Sequence, residues 1–359
     1  MKKESHQNNI CEANDREEEL YIPEANLNRI AVIDTVACKI VRYILVDDIP
    51  VLPFGSRPTL LVAIPDGSKI YSDNFGLITS TVSVINRLTE TVKSVIINSL
   101  PLGIFNSSNG KELYITEENH RIEVICTETD EIVRCLHFEN IPTACACGSN
   151  GNLYIGFANG TLGVYNSFSG NMLWQPLFSE GTRPSVWLTL NADEKKLYAG
   201  NADGIEIIDT ANWKRIKSIP IREKDAQHKE MPCSFTAFLS PDGKKLYVTL
   251  TSNPGVTVID MITDKIIKTI ETTGLVTGIA FSSTGKRGYF SEIVPGMSVS
   301  KTIEKAVLEA SSQRSEITPT GQVTIFDTET DDIIGKPIII GSAAGIPVLV
   351  PYISSYLIF

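Results

Sequence analysis

Lys245-Leu246-Tyr247-Val248-Thr249, followed a few residues later by Val256-Thr257-Val258-Ile259-Asp260, decides how this chain folds. Both pieces are short, rich in β-branched residues and bounded by turn formers, so they read as strands. Pro241-Asp242-Gly243 stands just before the first piece, and an Asp-Gly pair tolerates the positive φ that a tight hairpin turn demands. A further short strand, Ile266–Ile270, follows the second piece. One strand ahead of the turn completes a four-strand unit.

The same unit recurs along the chain. Its third strand, ending in Asp or another small polar residue, reappears as Ala31–Asp34, Ser83–Asn86, Glu123–Cys126, Gly163–Asn166, Glu206–Asp209 and Thr324–Asp327, at steps of 40 to 67 residues. Between successive copies lie turns such as Pro65-Asp66-Gly67, Ser108-Asn109-Gly110 and Ser149-Asn150-Gly151, each followed by a strand carrying a tyrosine: Tyr71, Tyr114, Tyr154, Tyr198, Tyr247 and Tyr289. A four-strand unit recurring seven times implies an all-β fold, a seven-bladed β-propeller of antiparallel blades.

Lys245–Thr249 with Val256–Asp260 resembles the YVTN-type β-propeller repeats, and the likeness extends over about residues 27–359. The resemblance implies the fold. It says little of activity, because such repeats serve surface proteins, stress proteins and cofactor-enzyme subunits alike. The copies are degenerate: Ser72-Asp73-Asn74 follows Tyr71, and Gly288 stands where leucine is usual.

Lettering the strands a to d outward from the axis, the chain enters at strands c (Asn28–Asp34) and d (Ile40–Val46) and ends with a (about Ile346–Val350) and b (about Ser354–Phe359). Two strands from each terminus are therefore expected to close blade seven, leaving no open edge. Residues 1–26 are expected to form a disordered acidic tail: six acids against one arginine follow Cys11, with little to bury. Residues 27–359 form one domain.

The totals restrict the function. With 42% hydrophobic and 21% charged residues the chain is an ordinary globule, and its net charge of −10 disfavours nucleic acid and anionic membranes. No apolar segment follows Met1-Lys2-Lys3, so no signal peptide is read and a cytoplasmic location is expected. Seven irregularly spaced cysteines argue against a disulfide framework, and Cys145-x-Cys147 reads as core rather than half a zinc site. Pro337–Phe359 carries no charge, but its prolines and its phase with the repeat make it strands and not a membrane span. No phosphate-binding glycine loop or zinc-protease motif occurs, and no cofactor or metal is expected; Ser298-x-x-Lys301 lacks its companion motifs. A monomer is expected.

The length beyond the basic unit falls in Asp47–Pro58, Asn74–Ser80, Arg222–Pro232 and Pro295–Thr320. All four are b–c or d–a connections and emerge on one face, where a rigid scaffold displays its working loops. Within 295–320, Val299, Ile303, Ala306, Val307 and Ala310 form one helical stripe over Ser298–Ser312, a lid on the channel mouth or a partner-binding helix. Arg57 and Arg183 replace apolar residues where strand a begins, and are the candidate binders of a ligand's anionic group. Glu118, His120, His228 and Glu230 are the candidates should the face be catalytic. Two readings stay open: a scaffold binding a peptide, protein or small molecule on the loop-rich face, or a lyase- or hydrolase-like enzyme with a polar site at the channel mouth.

Overall fold

In the computed structural model, seven four-stranded antiparallel sheets stand around an axis as the blades of a propeller. The structure describes residues 18–46, 57–75, 80–174, 185–201, 204–221, 223–224, 230–231, 235–250, 254–294, 320–341 and 344–351. Blade one runs from Pro58–Ala63 to Thr91–Ile96, blade two from Pro101–Asn106 to Glu131–His137, and blade six from Leu275–Phe281 to Ile333–Ile340. The apolar tract read as strands behaves as such: Ile333–Ile340 is strand d of blade six and Val348–Pro351 is strand a of blade seven. Among the described residues no helix is long and apolar enough to cross a membrane.

Blade seven corrects the expected closure. Its order from the rim inward is Lys39–Leu45, Arg29–Asp34, Glu18–Glu24 and Val348–Pro351, so the N-terminus supplies strands b, c and d and the C-terminus only a. Glu18–Glu24 lies inside the segment expected to be a tail, and the domain starts at 18 rather than 27. Ser354–Phe359, expected as strand b, lies outside the described residues, and its slot is taken. The three acids of this strand misled because each has a partner. Glu18 accepts the Ser283 N–H at 2.8 Å, Glu19 pairs with Arg42 and Arg87, and Glu24 pairs with Arg29. The signal was present: Glu19-Leu20-Tyr21-Ile22 repeats Glu112-Leu113-Tyr114-Ile115, which makes Tyr21 a seventh repeat tyrosine.

All seven tyrosines are buried. Each puts a large ring between neighbouring blades, where burying such a side chain stabilises by roughly 2–3 kcal/mol. Tyr71 donates to Asp130 of blade two at 2.6 Å and Tyr247 to Asp331 of blade six at 2.7 Å. Lys69 and Lys245 reach the same carboxylates at 2.8 and 2.7 Å. The receiving aspartates hold a left-handed conformation in the c–d turn, φ 56° and 60°; Cys38, Glu90, Gly170, Trp213 and Asp264 share that conformation in the other blades. Six of these turns are braced by the last residue of strand c: Asp34, Asn86, Asn166, Asp209, Asp260 or Asp327, whose Oδ1 accepts two turn N–H groups.

Candidate functional site on the loop-rich face

Strand a begins with proline in blades one, two and three: Pro58, Pro101 and Pro142. Proline has no N–H to leave unpaired at the channel mouth, and the ladder slips by one residue straight after it. The extra residues are Thr59, Leu102 and Thr143, and Thr277 takes the same place in blade six. Half-buried hydroxyls thus gather at this end of the innermost strands, and they are engaged within the fold. Thr59 donates to Asp73 Oδ1 at 2.7 Å, Thr143 to the Gly156 carbonyl at 3.1 Å and Thr277 to the Ala344 carbonyl at 2.8 Å. In blade five Thr236 and Thr249 share a hydrogen bond of 2.7 Å.

Arg57 stands immediately before strand a of blade one, as expected. Its carbonyl accepts the Phe75 N–H at 3.0 Å, and Leu100 and Ile141 accept equivalent N–H groups in blades two and three. Those are the positions that arginine replaces. Its side chain is half-buried, and no described carboxylate pairs with it. Arg183 lies outside the described residues, as do His228 and the helical stripe of 298–312. The connection ahead of blade five forms a small ribbon, Glu223–Lys224 against Glu230–Met231, which places the backbone of Glu230 opposite Lys224.

His120 and Glu118 occupy the exposed b–c turn of blade two rather than opening strand c, which starts at Arg121. His120 has a left-handed φ of 68°, and its Nδ1 meets the Glu139 carbonyl at 2.8 Å. The ring therefore helps to hold the next connection. Among the described residues no three His, Cys, Asp or Glu side chains gather as a metal site. Cys145 is buried in the blade-three core, in keeping with its reading as packing.

The repeat hid a different set of acids. Three residues beyond the repeat tyrosine, in the last part of strand b, stand Glu24, Glu117 and Glu292, all wholly buried. Each accepts an N–H from the connection entering its own blade: Gly341 at 2.6 Å, Asn98 and Ser99 at 3.2 Å, and Gly274 at 2.8 Å. They pin the d–a connections that frame this face. Asp73, one residue earlier in blade one, is also buried, and the loss of hydration pushes its carboxyl up to about 6 against the hydrogen bonds from Thr59 and Leu60. Aligning the blades on their tyrosines would have exposed these residues, since threonine, glycine or serine fills the place of Asp73 elsewhere, apart from Pro23.

No family model matches this chain, and no curated protein matches it either. Solved structures do. A functionally unknown protein from Desulfotomaculum acetoxidans is 16% identical, with a TM-score of 0.65 over 92% of this chain and 98% of that one. Hydrazine synthase of Kuenenia stuttgartiensis, also 16% identical, gives 0.63 over 80% and 96%. The β-propeller domain of Cps50 (Swd1) from Myceliophteria thermophila, 12% identical, gives 0.61 over 81% and 89%. At such identities the likeness shows the β-propeller fold and nothing finer.

Proposed function

We propose that this protein is a cytoplasmic, monomeric binding module of the YVTN-repeat kind. Its loop-rich face holds an anionic group of a peptide, protein or small molecule, with Arg57 and Arg183 as the binding residues. The observation that carries this reading is Arg57, a half-buried guanidinium at the channel mouth of an acidic protein with no described carboxylate partner. Its five donors in a planar fork suit carboxylate or phosphate. Two residues along, the Thr59 hydroxyl donates to Asp73 and presents its oxygen to accept from the neutral part of a ligand.

The test is titration of inorganic phosphate and of a phosphorylated and a carboxylated peptide into wild type and Arg57→Ala, beside thermal melts. Saturable binding weakened about tenfold or more, at an unchanged melting temperature, fits the reading. Equal affinities with a lowered melt return Arg57 to a structural role.

A further inference from the structure

We propose that Glu117 and Glu123 hold one proton between them, and that its loss releases the connection entering blade two, so that this edge of the loop-rich face responds to pH. The inference does not depend on which ligand the face binds.

The geometry begins at one N–H. Asn98 N lies 3.2 Å from Glu117 Oε1 and 3.4 Å from Glu123 Oε2, so both carboxylates crowd a single donor. Glu117 is wholly buried and Glu123 is 6% exposed. The other oxygen of Glu117, Oε2, is buried with no partner at close range, and the Asn119 side chain beside the carboxyl favours its ionised form. Two buried carboxylates at this range cannot both ionise without a large electrostatic cost. A proton removes that cost and gives the pair a donor, since the two side chains lie within hydrogen-bonding reach. The pair then titrates as a unit.

The fold contains its own controls. In blade seven the equivalent Glu24 meets the Arg29 guanidinium, and in blade six Glu292 accepts from the Gln322 amide at 3.0 Å. Both clamp a connection as Glu117 does, and among the described residues neither shares its N–H with a second acid. The place of Glu123 in strand c is filled by Ala31 in blade seven and Thr324 in blade six. Arg121 starts the same strand as Glu123 but pairs with no described carboxylate, although its charge favours ionisation of Glu123.

The ionisable groups around the pair follow from the packed elements. Strand d sets Cys135 opposite Glu123 and His137 opposite Arg121. The b–c turn carries Glu118 and His120, the latter held by the Glu139 carbonyl. Strand a, Pro101–Asn106, carries none, and the connection offers only amides and a hydroxyl. Blade one presents Tyr71 in the shared core, Asp73 two residues along on the same face and, at the far end, Lys69 paired with Asp130 and Lys93 reaching the Asp130 carbonyl. The two lysines lie at the far end, so Arg121 is the cation that acts on the pair. Burial, with Glu123 second, pushes the Glu117 carboxyl up to about 7. The clamped state binds the proton more tightly than the released state, so release is favoured as pH rises.

The experiment is hydrogen exchange at the Asn98 and Ser99 amides across pH 5 to 8, corrected for the intrinsic pH dependence of exchange. In wild type the opening constant should rise about tenfold per pH unit towards the value of about 7 and then level off. Glu117→Gln keeps the shape and removes the proton, and should flatten the profile. A flat wild-type profile, or an unchanged slope in the variant, overturns the proposal. Should Glu117→Gln fail to fold, Glu123→Gln removes the like charge and should move the rise to lower pH; a rise that stays in place overturns it equally.

Discussion

Glu19 and Arg87 meet at 3.1 Å across the seam between blade seven and blade one, with the reverse polarity of the other paired blades. Elsewhere a lysine two residues before the repeat tyrosine reaches forward to an aspartate of the next blade, as Lys69 does to Asp130 and Lys245 to Asp331. At the seam the acid stands before the tyrosine and the next blade supplies the cation. Arg87 also donates to the Tyr21 hydroxyl, to the Gly67 carbonyl and, from the C-terminal strand, to the Pro351 carbonyl. One side chain thus ties strand b and strand a of blade seven to the first hairpin turn of blade one.

Removing Arg87 should accordingly be far costlier than removing Arg42, although both pair with Glu19. The Arg87 side chain is 2% exposed and that of Arg42 39%. Arg87→Ala should lower stability by about 3–5 kcal/mol, as expected when a buried pair loses one member. Arg42→Ala should cost about 1 kcal/mol or less. Urea unfolding of both variants checks this, and equal losses would contradict the role given to Arg87.

The inter-blade tyrosine bonds make a smaller, separate prediction. Tyr247→Phe keeps the ring and deletes the bond to Asp331, which Lys245 continues to hold. A loss of about 1–2 kcal/mol is expected by the same unfolding measurement. The matching change Tyr71→Phe should behave alike, because Lys69 still holds Asp130.

Stability should fall on both sides of an optimum in pH. The Asp73 carboxyl has a higher value folded than unfolded, so the stability it contributes is complete below 3.8 and is lost as pH rises through about 6. Glu19, which burial would raise but Arg42, Tyr21 and Arg87 together hold below its ordinary value, and Glu112, held down by Arg134, act in the opposite sense. Their contribution is present above the unfolded value of 4.5 and is lost as pH falls through their lowered folded values. Asp73→Asn should remove the loss between pH 4 and 6, a difference of roughly 2–3 kcal/mol at pH 7. Melting curves at stepped pH would show it, and an unchanged profile would count against the assignment.

Cys126 occupies the place where the other blades use Asp or Asn to brace the c–d turn. The N–H groups of Thr129 and Glu128 pull its thiol below the ordinary value, whereas burial raises Cys145 and Cys147 and partial burial raises Cys135. Among these, Cys126 should react first with iodoacetamide, with Cys145 last, as read by mass spectrometry of timed digests. Cys126→Asp restores the brace and should stabilise by about 0.5–1 kcal/mol.

What the sequence disclosed was what repeats. Strand c, the hairpin turn and the tyrosine recur at nearly fixed spacing, so the number of blades and the location of Arg57 ahead of a strand could be read without coordinates. Two things escaped. The first strand of the domain was concealed by its charge, because Glu18, Glu19 and Glu24 look solvated until Ser283, Arg87 and Arg29 are placed beside them. The Glu117–Glu123 pair was concealed by spacing, since the two residues are six apart and approach only when strands b and c run antiparallel. The tyrosine alignment would have recovered the first and half of the second.

The closure of blade seven also fixes how the ring responds to mechanical load. Glu18 opens strand b and Pro351 closes strand a, and the two lie opposite each other in antiparallel register. Tension applied through the segments preceding and following them therefore peels the two strands apart from one end, rung by rung, rather than shearing the ladder along its length. Arg87, gripping both the Pro351 carbonyl and Glu19 at that end, is the first bond to carry the force. Blade seven is therefore expected to be where a pulled propeller gives way first, at a lower force once Arg87 is removed.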